Sequence, residues 1–261
     1  MIKINIVDQH LLDGINGKMQ ICQRGTSGDL GTLGGSSTNY TADHWVLYVQ
    51  NTSARFDVSQ ITSDHPDGFG HSLKIDCSTA DTSLAATDEV QFFQKVEGFE
   101  TQEFAKGTSG AKSITVSFYV KGNAAATYTA ELEDSDNSRY NSQEFSVTTD
   151  WTRVTKTFVA DTTGTLDDDN AVSFRLNIWL HAGSNYTSGT HTDNVWHTAQ
   201  TQRVGDNATS IFDSTSRTLQ ITGLQMEVGD TATDFEHRTF ADELIKCQRY
   251  YTKYFETGGT G

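Results

Sequence analysis

Proline is nearly missing from this 261-residue chain, with Pro66 the one copy, so its many changes of direction fall to other residues. Short clusters of Gly, Ser, Thr, Asn and Asp recur throughout, a composition that suits many turns between short strands better than disorder. Cysteine is scarce too: Cys22, Cys77 and Cys247 are odd in number and far apart. That excludes a disulfide framework and a CxxC-type metal site, and leaves buried free thiols as the expectation. Long apolar runs are absent, and no segment approaches the ~20 residues needed to cross a bilayer. The opening MIKINIVDQH carries no apolar signal core, so the sequence predicts a soluble product of the cytoplasm without membrane insertion.

Positive charge is in short supply: 19 Lys and Arg stand against 34 Asp and Glu, a formal charge of −15 and a pI near 4.8. Binding along a phosphate backbone depends on clustered Lys and Arg, so nucleic acid is excluded as a partner. Hydrophobic residues make up only 35%, yet 14 Phe, 9 Tyr and 4 Trp supply bulky material for a core. Catalytic signatures are lacking as well. There is no G-x-S-x-G and no H-E-x-x-H, and the eight histidines have no metal-ligand spacing. With so many acids, some carboxylate pair always looks eligible for glycoside hydrolysis, so abundance removes the information. The chain is read as a non-enzyme.

What is present is alternation of period two. In SITVSFYVK (Ser113 to Lys121), Ile114, Val116, Phe118 and Val120 share one face, as in a half-buried strand. WTRVTKTFV (Trp151 to Val159) reads similarly with a bulge or register change. Further strands are predicted at 19–23, 45–50, 72–76, 90–96, 128–133, 143–147, 172–180, 194–198 and 219–228. The Gly25–Thr38 and Asp161–Asn170 stretches read as a surface loop and a long turn. The fold class is therefore all-β, an antiparallel β-sandwich of about a dozen strands. The period changes once: Thr239 can cap a helix over about Phe240–Tyr254, with Asp242 and Glu243 in its first turn and Phe240, Leu244, Cys247 and Tyr251 on one stripe. Two units follow, a sandwich over 1–238 and a helix with tail over 239–261.

Two groups of candidate site residues emerge. Sugar recognition rests on aromatic faces beside amides, and 179–196 offers Trp179, Asn185, Tyr186 and Trp196; a tyrosine in a Gly/Ser/Thr-rich loop has little packing reason to be there. The competing reading of this cluster is core or subunit interface, since Trp179 continues the alternation of its strand. For cations, Asp134, Asp136, Asp167, Asp168 and Asp169 are the candidates, although a run of acids is also an ordinary solvated turn.

The stretch QITGLQMEVGDTATDFEHRTFADELIKCQRYY (Gln220 to Tyr251) resembles a segment of tailed-bacteriophage tail-fibre and other virion structural proteins, a "QLEVG-x-x-AT-x-FEHR" strand followed by an "EEL-x-x-CQRYY" helix. Near the front, INGKMQICQRGTS (Ile15 to Ser27) and YTADHW (Tyr40 to Trp45) resemble further segments of that group, so the matches bracket nearly the whole chain. The resemblance implies a jelly roll like that of carbohydrate-binding modules, with the first and last strands close together. It also implies a virion location, other virion proteins as partners, and a homo-oligomer, a trimer foremost. Host-surface glycan is the implied receptor, and a structural Ca²⁺ the one cofactor to look for, none being required. Because the chain stops ten residues after CQRYY, a capsid decoration, head fibre or adaptor without receptor binding stands beside the tail-fibre reading. A polysaccharide-degrading enzyme is the remaining alternative.

Overall fold

In the computed structural model, which describes residues 11–12, 14–25, 27–29 and 37–252, alternation decides the architecture. Along the chain run β1 (Leu11–Leu12), β2 (Ser27–Asp29), β3 (Ser37–Tyr40), β4 (Trp45–Gln50), β5 (Arg55–Ile61), β6 (Ser72–Thr79) and β7 (Glu89–Glu97). They are followed by β8 (Ile114–Gly122), β9 (Ala126–Asp134), β10 (Arg139–Val147), β11 (Thr152–Phe158) and β12 (Val172–Ala182). The one-turn helix α1 (Ser184–Thr187), β13 (Thr218–Val228) and α2 (Phe240–Tyr250) complete the order.

Two antiparallel sheets result. The first has the order β11-β8-β13-β6-β5-β2, with β1 also on β13, and the second the order β10-β9-β12-β7-β4-β3. The chain crosses repeatedly between them. First and last strands do meet, Leu11 opposite Glu227 and Leu12 opposite Met226. One apolar core lies between the sheets. Phe56, Ile75, Val116, Phe118 and Ile221 enter it from the first and Leu47, Phe92, Leu132, Phe174 and Ile178 from the second. Trp45 and Phe92 stack within it with ring centroids 4.9 Å apart.

The strand at Met19–Gln23 is not formed. Asn16 and Met19 both have positive φ, and the segment turns around the Asn16 side chain. That amide donates to Ile21 O at 2.8 Å and Asp43 O at 3.0 Å and accepts from Ile21 N at 2.9 Å. A side chain offering the backbone its own partners displaces a sheet ladder. The strand expected at Asn194–Thr198 is reduced to a single bridge between His197 and Tyr140. Conversely, β5 has only Phe56 and Val58 as large buried residues among polar ones, too short an alternation to stand out. The Gly25–Thr38 stretch contributes the short strands β2 and β3, and residues 30–36 and 253–261 lie outside those described.

α2 forms with the expected cap, Thr239 Oγ1 accepting from Asp242 N at 3.2 Å, and ends at Tyr250 because Tyr251 is extended. Its inner stripe, Leu244 and Cys247, packs on Ile15 and Ile21. Glu243, only 4% exposed, accepts a short hydrogen bond from Asn16 N, so the helix is keyed to the first turn of the chain. No helix among the described residues is long and apolar enough to cross a membrane. Glu243→Ala is expected to cost about 1–3 kcal/mol, because a buried amide loses its acceptor. Urea denaturation checks this, and a loss within ~0.5 kcal/mol would show that the key contributes nothing.

Candidate functional site

The outer face of the second sheet carries the site. On β7 the inward residues are Val90, Phe92, Gln94 and Val96, which turns Glu89, Gln91, Phe93, Lys95 and Glu97 outward. Register places Tyr48 beside Gln91, Asn177 beside Phe93 and Arg175 beside Lys95, with Glu131 and Glu133 beyond them on β9. The segment after β12 folds back over one end of this face through α1 and a 3₁₀ turn at Gln200–Gln202, delivering Arg203 onto Glu131. Glu131 is wholly buried. Its carboxylate accepts from Arg203 Nη2 at 2.6 Å and Nε at 2.9 Å, from Trp179 Nε1 at 3.0 Å and from Asn177 Nδ2 at 2.9 Å. Arg203 also donates to Glu133 at 2.9 Å and lies 4.0 Å from the Tyr140 ring centroid. Burial alone would lower the Arg203 pKa, but the charge of Glu131 overrides it and raises the pKa, holding the guanidinium firmly protonated.

Where this roof ends, a cleft of about 580 Å³ opens, walled by Asn185, Tyr186, Gln200 and Arg203 on one side and by Tyr48, Gln91 and Phe93 on the sheet. A second cleft of about 470 Å³ continues it, lined by Arg24, Tyr40, His44, Val46, Glu97, Tyr250 and Tyr251. Lys95 lines both. From Glu89 to Glu97 the combined groove follows β7 for roughly 26 Å, at ~3.3 Å per residue. Arg24 is held between aromatic faces, 4.5 Å from the Tyr40 centroid and 3.5 Å from that of Tyr251. Burial, reinforced by the neighbouring Glu89, pushes the Tyr186 hydroxyl well above its ordinary range, and burial also raises Glu89, to which Tyr186 is hydrogen-bonded. Burial lowers His44 to about 4, so it is neutral at pH 7.

Of the four candidate aromatic and amide residues, Asn185 and Tyr186 line the groove. Trp179 faces the same side but is 1% exposed, roofed by Tyr186 at 5.0 Å and Arg203 at 4.9 Å, so it supports the site from beneath and offers no face to a sugar. Trp196 is elsewhere. Its indole donates to Val159 O at 2.7 Å and it packs on the sandwich core beside Phe174. Missed by sequence reasoning were Tyr48, Phe93 and Arg175; a charged residue inside the apolar run of β12 was the available signal for the last.

The acidic candidates do not gather. Among the described residues no group of three or more His, Cys, Asp or Glu side chains is placed to hold a metal. Asp134 is buried, and the position a cation would take beside it is filled by the Lys106 ammonium. Lys106 also pairs with Asp161 at 3.0 Å and donates to Thr163 O at 2.8 Å and Gly164 O at 3.0 Å. Asp136 accepts from Asp167 N across 31 residues of sequence, joining two loops, Asp169 accepts from Ala171 N as a local turn bond, and Asp168 is exposed.

No protein-family model matches the chain, and no curated protein does. Among solved structures it is similar to one described as "CBM4 structure and function", at 13% identity over 82% of this chain and 97% of that one, with a TM-score of 0.39. It is also similar to the enzymatically active domain of tailspike protein 4 of bacteriophage CBA120, at 11% identity over 71% of this chain, TM-score 0.39, where it spans only 19% of that chain. A family 11 carbohydrate-binding module of Clostridium thermocellum matches at 11% identity over 77% of this chain and 98% of that chain, TM-score 0.37.

Lys106→Met is expected to lose about 3–5 kcal/mol at pH 7, because buried carboxylates are left without their cation. Burial would raise the Asp161 carboxyl, but hydrogen bonds from Arg139 and Lys106 outweigh it and hold the group below its ordinary range. In the native protein that contribution is complete above the unfolded value near ~4 and fades as pH falls through the folded one. The penalty of the variant therefore shrinks in acid. Denaturation at neutral and acid pH checks this, and an equal penalty at both would refute the ionic account.

Proposed function

We propose that the chain is a non-enzymatic structural component of a tailed-bacteriophage virion, a tail-fibre or appendage protein whose jelly roll binds host-surface glycan in the groove along β7. The observation that carries the binding reading is the combination of Tyr48 and Tyr186 with Gln91, Asn185 and Gln200 in one open groove. Aromatic faces take the apolar faces of sugar rings, and amides bond the hydroxyls. A binding rather than hydrolytic role is supported by the state of the acids. Glu133 is engaged by Arg203 and Asn177, and Glu89 by Gln91 at 2.7 Å and by Tyr186. The virion role is supported by the segments at 15–27, 40–45 and 220–251, and symmetric repetition on a particle favours a homo-oligomer, a trimer foremost. Decoration of a capsid, or an adaptor without a receptor, is the second reading.

On a glycan array, Asn185→Ala and Tyr186→Ala are each expected to weaken binding at least tenfold, about 1.4 kcal/mol. Asn185 is exposed, so its variant keeps the parent melting temperature. Unchanged binding by both variants, or release of reducing ends from a bound polysaccharide, would defeat the proposal. Immunolabelling of purified particles should mark an external appendage; unlabelled virions would remove the virion assignment.

A further inference from the structure

Resting on the groove reading above, we infer that the ligand is an acidic saccharide whose carboxylate sits between Lys95 and Arg175, where the two clefts meet. The two residues are directly opposite each other on β7 and β12 and on the same outward face. Like charges in that relation repel; Arg175 has Glu133 opposite it on its other side, on β9, whereas Lys95 has no ion pair among the described residues. Both lie over one ring, Lys95 Nζ 5.9 Å and the Arg175 guanidinium 5.4 Å from the Phe93 centroid.

Counter-charge covers the pair only in part. Arg175 has one ion pair, Nη1 to Glu133 at 3.7 Å, and the other oxygen of that carboxylate is taken by Arg203 and Asn177. The buried Nε–H of Arg175 has no hydrogen-bond partner among the described residues. Lys95 forms no ion pair among them. Its neighbour along the strand, Glu97, is engaged by Arg249. Burial, and then the charge of Arg175, both lower the Lys95 pKa. In a chain of net charge −15, two facing cations with Glu133 as their one ion-pair partner among the described residues form a local centre for an anion on the floor of the groove.

The surroundings select a sugar rather than a free ion. Tyr48, half-buried and 6.4 Å from the buried Phe93, supplies a ring face beside the charge pair, and amide and hydroxyl groups continue in both directions along β7. A hexuronate or sialic-acid unit carries its carboxylate on the ring that such faces accept. Arg and Lys then bond the two oxygens with charge-assisted hydrogen bonds.

The test is an array of hexuronate-containing, sialylated, sulfated and neutral oligosaccharides probed with the full chain and with Lys95→Gln. Retention of carboxylate-bearing glycans, weakened at least tenfold in Lys95→Gln, is the expected result. The melting temperature of Lys95→Gln should equal or exceed that of the parent, because a repulsion is removed; a fall of several degrees would make Lys95 structural and overturn the inference. Neutral glycans bound as well as acidic ones, and indifferent to Lys95→Gln, would overturn it while leaving the groove as a glycan site. Retention of sulfated glycans alone would overturn the carboxylate assignment. Binding of no glycan at all would remove both this inference and the groove reading.

Discussion

A carboxylate with no access to water underlies everything on the functional face. Glu131 sits on an outward position of β9, where a sheet surface would ordinarily be wet, and both its oxygens are engaged, Oε1 by Arg203, Trp179 and Asn177 and Oε2 by Arg203. An ion pair so deep adds little net stability over an apolar replacement, since desolvation offsets most of the attraction. What it supplies is position: Arg203 cannot leave without stranding Glu131, so the segment from Gly183 to Gly205 is fixed over one end of the sheet. The wall that carries Asn185 and Tyr186 exists because of that bond.

A different lock holds the two ends of the chain. Asn16 grips Ile21 and Asp43, Trp45 Nε1 donates to Ile15 O at 3.1 Å, Gln23 Nε2 reaches Tyr251 O at 2.9 Å, and Glu243 returns to Asn16. These residues belong to the three segments whose wording resembles virion proteins. Their part in this structure is architectural, while the part of the groove around Tyr186 and Arg175 is built from residues outside them.

That division explains what could be read in advance. β8, β12, β13 and α2 were legible because an apolar face repeats at a fixed period, and the Thr239 cap because its bond is local. Tyr186, singled out as a loop aromatic with little packing reason, lines the groove but also packs on Trp179. Trp179 was not legible, because what covers it arrives from Arg203, and Asp134 was misread as a cation ligand because its cation, Lys106, is supplied from 28 residues away. Contacts across such separations leave no periodic trace.

The rim of the second sheet carries one more consequence. β10 ends that sheet, yet Tyr140 exchanges both backbone bonds with His197, Ser142 O receives Asn194 N at 3.0 Å, and Glu144 N donates to Asp193 at 3.1 Å. A border strand whose amides are already engaged cannot be lengthened sideways into a neighbour. Copies crowded together would have to meet through side chains at that border, where shape and charge can discriminate, rather than through the indiscriminate zippering that free main chain invites.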